Sequence, residues 1–183
     1  MVKENGRDES RAGYINKDGE YVIELEEIGE GKTFSGGIAP VSLFGTYGLI
    51  DNQGKWVITP AFEFIGPFSE GMARVKKDNE WGVIDNSGKL IISPDFEYVD
   101  NFSEGLAVFS PDPLLMRDQS GNPVSKNPYR KFGYINKKGE CVIEPKYSKA
   151  ERFVSGVAWV EGVDNFKGYI GKTGNILVPE LKK

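Results

Sequence analysis

Apolar residues along this chain come in short runs set apart by glycine, proline and Asx. In Lys55-Trp56-Val57-Ile58-Thr59, Trp56 and Ile58 fall on one side of an extended strand, with Lys55 and Thr59 on the other. Leu90/Ile92, Cys141/Ile143 and Tyr21/Ile23 hold the same two places, so this side is the expected core face. Asp51 to Gly54 and Asp85 to Gly88 read as tight turns. An Asx side chain can bond the backbone two residues on, and glycine takes the positive φ such hairpins need. The proline that follows each run (Pro60, Pro94, Pro145) is expected to end the strand, because it cannot donate to the ladder.

The pattern recurs down the chain. The stretch Trp81–Val108 shows it in full: aromatic-Gly, apolar-Ile, Asx-x-x-Gly, two or three apolar residues, Pro, aromatic, then Phe-Ser-x-Gly-x-Ala. Copies start at Gly13, Gly48, Gly82, Gly133 and Gly168, spaced 35, 34, 51 and 35 residues apart. A fixed period of roughly 20–50 residues signals a solenoid, propeller or array. Met72–Lys77, Trp81–Asp85 and Lys89–Ile92 are expected as three successive strands, a meander, with Asp95–Glu104 linking it to the next. Four such meanders start near Ile38, Met72, Leu106 and Val157, after a two-stranded leader at Gly13–Ile23. The expected fold is all-β: tandem antiparallel three-stranded meanders forming an open repeat array, with a closed β-propeller as the alternative. Residues 1–11 are the flexible lead, 12–179 a single array of about five copies, 110–131 an insertion and 180–183 a tail.

Composition narrows the chemistry. The 183 residues carry 23 basic and 27 acidic side chains, a net charge of −4, with both signs mixed along the chain. No basic stripe marks a nucleic-acid binder. No apolar run approaches the roughly 20 residues of a membrane helix, so no span is expected. Histidine is absent, which removes His-based triads and His-ligated metals. Cys141 is the only cysteine, so neither an intrachain disulfide nor a cysteine zinc cluster can form. The opening MVKENGRDESR lacks the apolar core of a signal peptide. As written the chain reads as cytoplasmic; removal of a signal peptide would place it in the envelope or outside the cell.

The Trp-Gly start, the Asx-x-x-Gly-Lys turn, the Val-Ile-x-Pro run and the Phe-Ser-x-Gly-x-Ala close resemble bacterial WG-repeat proteins over Ala12–Pro179. Only Trp81 supplies the naming tryptophan; Tyr47 and Phe132 substitute, while Ala12 and Lys167 do not. The resemblance implies tandem β-hairpin units and a binding or scaffolding role, with no catalytic residues to carry over.

Candidate sites follow from the residues. Asp51 and Asp85 as calcium ligands give too few oxygens for the ion, so turn formation is the expected role. Glu70 and Glu104 as a hydrolase acid pair sit a full repeat apart, and Gly36 and Ser155 hold their place in other copies, so both are expected on the surface. Cys141 is expected as a small buried hydrophobe, with no histidine to activate it. The glycine-rich Gly29-Glu30-Gly31-Lys32 matches no phosphate loop. Catalytic residues, cofactors and metals are therefore expected to be absent. Tyr134, Trp159, Tyr169 and Arg74 fall on the face that varies between copies, where a protein partner could find hot-spot residues. The insertion adds Leu114, Leu115, Met116 and Arg117 on a proline-rich loop. The expected function is a non-enzymatic binding or scaffold module for a protein partner; a glycan-binding module or a carbohydrate-active enzyme is the alternative.

Overall fold

The structure, a computed structural model, describes residues 12–25, 28–111, 130–162 and 166–177. The chain divides into two compact units, Met1–Ala61 and Phe62–Lys183. Among the described residues every element is a strand, and no helix is long and apolar enough to cross a membrane.

In the first unit, β1 (Ala12–Ile15) and β2 (Tyr21–Leu25) form the expected two-stranded leader. A four-stranded antiparallel sheet follows, in the order β3 (Ile28–Gly31), β4 (Ile38–Leu43), β5 (Thr46–Asp51), β6 (Trp56–Phe62). Ile23, Ala39, Val41 and Ile50 form its buried core, flanked by Tyr14 and Phe34, whose rings meet edge to face at 4.7 Å.

The second unit is one ten-stranded antiparallel sheet in which each strand bonds its sequence neighbours. Its strands are β7 (Phe64–Ile65), β8 (Met72–Lys77), β9 (Glu80–Asp85), β10 (Leu90–Val99), β11 (Leu106–Pro111), β12 (Phe132–Asn136), β13 (Cys141–Ala150), β14 (Val157–Gly162), β15 (Lys167–Gly171) and β16 (Ile176–Leu177). The meanders are open: β7 and β16 are edges, and the sheet does not close into a barrel.

Two expectations are corrected by the long strands. Proline does not end them: β10 runs through Pro94 and β13 through Pro145. The missing N–H is absorbed by an irregular register instead, which shifts between Ile92 and Phe96 where β10 pairs with β9. Nor is Asp95–Glu104 a linker. The first half of β10 pairs with β9, while Tyr98 and Val99 pair with β11, so the strand hands the chain from one meander to the next.

The leading glycines answer to this irregularity. A Cβ on Gly82 would stand 2.6 Å from the Ile92 carbonyl oxygen and 2.9 Å from the Pro94 nitrogen. Gly133 backs onto Ile143 and Pro145, and Gly48 onto Ile58 and Pro60, in the same way. Only glycine lets the two backbones approach so closely.

The same bulges overturn half of the expected core face. Leu90 and Ile92 pair with Ile84 and Val83, which are consecutive and so point to opposite faces. Cys141 and Ile143 likewise pair with Ile135 and Tyr134. Ile23, Ile92 and Ile143 are buried, whereas Tyr21, Trp56, Leu90 and Cys141 are exposed. The core of this unit forms between successive meanders. Val83 packs with Val99, Ala107, Phe109 and Ile135 of the next copy, and Val108 and Tyr134 pack with Phe153, Ala158, Val160 and Ile170 of the one after.

Candidate functional site

The repeat turns are structural. The Asp51 carboxylate accepts the N–H groups of Gln53 and Lys55, both at 2.9 Å, and Asp85 accepts those of Ser87 and Lys89 at 2.8 and 3.0 Å. The Ser87 hydroxyl also donates to Asp85; with the backbone bonds and the nearby Lys89 charge it holds the carboxyl below the usual aspartate range, against some desolvation. Among the described residues no group of three or more His, Cys, Asp or Glu is placed to hold a metal ion.

Glu70 and Glu104 turn out to join neighbouring repeats. Each lies with the following glycine in a two-residue turn where both φ angles are positive. The Glu70 carboxylate accepts the N–H groups of Glu104 and Gly105, the corresponding turn one copy on, and Glu104 accepts the N–H of Gly156. Lysine closes each clasp: Lys137 Nζ stands 3.1 Å from Glu70, and Lys172 Nζ 3.1 Å from Glu104. Ser69 and Ser103 donate to the carbonyls of Phe102 and Phe153 at 2.7 and 2.6 Å. Burial pushes the Glu70 carboxyl up, but Lys137 and the two backbone donors outweigh it and leave it below the ordinary range. Lys172, helped by the Gly156 N–H, does the same for Glu104.

The candidates on the variable face part company. Tyr134 is not a surface residue. It is fully buried, its ring against Phe153 at 4.9 Å and its hydroxyl donating to the Glu151 carbonyl at 2.8 Å. Burial, with Tyr147 and Glu151 adding to it, pushes its phenol well up. Arg74 is also spent internally. Its guanidinium lies over Trp81 and Phe64, 4.9 and 5.7 Å from the ring centroids, bonds the Val99 carbonyl at 3.4 Å and faces Asp100 at 3.9 Å. Trp159 and Tyr169 are brought together as cross-strand partners, rings edge to face at 5.1 Å, and Tyr169 is 48% exposed. Leu114, Leu115, Met116 and Arg117 lie outside the described residues.

Beside Trp159 lies a hollow of ≈ 380 Å³, lined by Tyr98, Phe132, Lys149, Ala150, Glu151, Trp159 and Glu161. Tyr98 and Phe132 meet edge to face at 5.8 Å and form its aromatic side. Glu161 is held by Lys167 and Lys149, each at 3.3 Å, and these lysines keep its carboxyl below the ordinary range. Arg130 stands 5.9 Å over the Tyr98 ring, tied to Glu97 at 2.6 Å. Sequence reading missed Tyr98, Phe132 and Glu151, because aromatic and acidic residues at their places look like ordinary repeat filler. One signal was there to find: the column that holds Arg74 and Trp159 holds Val108 in the copy between them.

An all-β chain of open antiparallel meanders, stapled turn to turn, is a tandem-repeat protein. The WG containing repeat matches residues 13–43, 47–81, 81–110 and 132–165, and the chain belongs to that family. No curated protein matches it in sequence. Among solved structures it is similar to the computationally designed Ika4 protein, with 11% identity, a TM-score of 0.41, and 75% of this chain and 87% of that one covered. It is also similar to BamB from Moraxella catarrhalis, with 11% identity, a TM-score of 0.43 and 87% of this chain covered; the match spans 51% of BamB.

Proposed function

We propose that the chain is a non-enzymatic binding module of a bacterial cell, acting in the cytoplasm, and that its partner is another protein. The observation that carries this reading is the hollow beside the Trp159–Tyr169 pair. Two further rings, Tyr98 and Phe132, line it together with charged groups that are ion-paired at its rim. Trp and Tyr seated in pockets are among the residues on which protein contacts concentrate their binding energy. The residues that recur from copy to copy are largely used up in turns and core.

The test is site-specific cross-linking. A photoreactive residue in place of Tyr169, in the full chain expressed in its native host, is expected to capture a discrete protein, and Trp159→Ala is expected to suppress the adduct. Retention of the chain on a glycan array, lost in Trp159→Ala, with no protein adduct, would decide for the glycan reading instead.

A further inference from the structure

We propose that the hollow receives the guanidinium of an arginine side chain presented by the partner polypeptide. This rests on the reading of the hollow as a protein-binding surface and names what enters it.

The molecule carries a filled version of the same hollow one repeat earlier, and its occupant is Arg74. Strand pairing sets the correspondence. Phe64 pairs with Lys76 as Tyr98 pairs with Ser110, and Ile65 with Val75 as Val99 with Phe109 and Ala150 with Val160. The Asp100 N–H bonds the Val108 carbonyl as the Glu151 N–H bonds that of Trp159. Trp81 and Phe132 each precede a leading glycine. Arg74 touches Phe64, Trp81, Val99 and Asp100 and lies beside the Tyr98 hydroxyl. One repeat on, these places hold Tyr98, Phe132, Ala150, Glu151 and, in the place of Tyr98, Lys149, and all five line the hollow.

The place of Arg74 itself is taken by Val108, which is buried in the core and carries no charge. Two rings, a backbone position and a carboxylate therefore stand around a site whose own strand supplies no cation; Arg130, 5.9 Å over the Tyr98 ring, is tied to Glu97. Lys149 does not fill it: its side chain is 72% exposed and reaches to Glu161. Of the two lining carboxylates, Glu161 is already paired with Lys149 and Lys167, whereas Glu151 makes no ion pair among the described residues. A planar guanidinium suits such a site better than an ammonium. It stacks on aromatic faces and presents a fork of donors to carboxylate and carbonyl oxygens. The ≈ 380 Å³ volume accommodates a single long side chain.

Capped Gly-Gly-X-Gly-Gly peptides with X as arginine, lysine, citrulline or leucine test this. They are titrated into the full chain while the Trp159 indole N–H and the Ala150 amide are followed by NMR. The arginine peptide is expected to shift both signals saturably. The citrulline and leucine peptides should bind about tenfold more weakly or not at all. Glu151→Gln, at an exposed position, should remove that preference without lowering the melting temperature. Equal binding of the arginine, citrulline and leucine peptides would overturn the inference and leave the protein-binding reading standing. Silence from every peptide would overturn it too, and the cross-linking experiment would then decide the broader reading by itself. Arginine binding that emerges only in Arg117→Gln or Arg130→Gln would make the occupant one of the chain's own arginines, and would equally end the proposal.

Discussion

At Gly82 a single hydrogen in place of a methyl group decides whether the repeat closes. With 2.6 Å to the Ile92 oxygen and 2.9 Å to the Pro94 nitrogen, an added Cβ meets backbone on both contacts, and neither can swing aside. Gly82→Ala is therefore expected to cost about 1–3 kcal/mol, as overpacking of a tight interior does. Urea denaturation measures it, and a loss within error of zero would show that the strand can shift. Cys141 behaves differently from the sequence expectation because the bulge beside it turns it outward. Partial burial, with Glu144 adding to it, pushes its thiol up. The native chain should react with a thiol reagent without denaturant, and its pH profile should be displaced upward relative to the unfolded chain. A thiol that stays silent until the chain unfolds would restore the buried reading.

Between elements, the two-residue turns act as joints. A glutamate at φ 53° in one turn, Glu70, presents its carboxylate to the backbone of the next, and lysine from a further hairpin locks it. Both clasp carboxylates titrate below the ordinary 4.5 of a glutamate when folded. Between the folded and unfolded values the unfolded chain thus binds more protons, and stability falls as pH drops through that window. Above it the contribution is fully present. Urea midpoints measured from pH 7 down to pH 3 should show wild type losing its margin over the Glu70→Gln/Glu104→Gln double variant as pH falls below about 4.5, where the unfolded chain's glutamates take up protons before the folded clasps do. Parallel curves across the whole range would mean the clasps contribute nothing through their charge. Sequence comparison of the copies hid this role, since Gly36 and Ser155 hold the same place without a carboxylate.

Across the second unit, apolar burial falls off only at the last strand: Ile65 on β7, Val75 on β8, Val160 on β14 and Ile170 on β15 are fully buried. Val83, Ile84, Tyr134 and Ile135, on β9 and β12, are at most 1% exposed, whereas Ile176 and Leu177 on the edge strand β16 are 55% and 36% exposed. Local opening follows buried apolar contact. Amides of the strands β8 to β15 should therefore exchange more slowly than those of β16, which belong to the fast class. Uniform exchange would instead mean that the unit opens as a single block. The hollow lies between β10, β12, β13 and β14, in the half of the sheet that contains the Val108 exception.

Periodicity alone determined the all-β class, the meanders and the turn positions, because each depends on local rules: alternation, Asx turns and glycine at positive φ. Local rules fail where the register slips. A bulge beside Leu90 and another beside Cys141 reverse a face without leaving a mark in the hydrophobic pattern, so the exposed members of the core face were read wrongly. Tyr134 and Trp159 looked alike as variable aromatics, yet packing between successive meanders buries the first and leaves the second lining a hollow. That hollow draws on residues from Tyr98 to Glu161, brought together only by the stacking of one repeat on the next. Tertiary structure alone decided which rings face each other, and that Arg74 fills a place which Val108 leaves open.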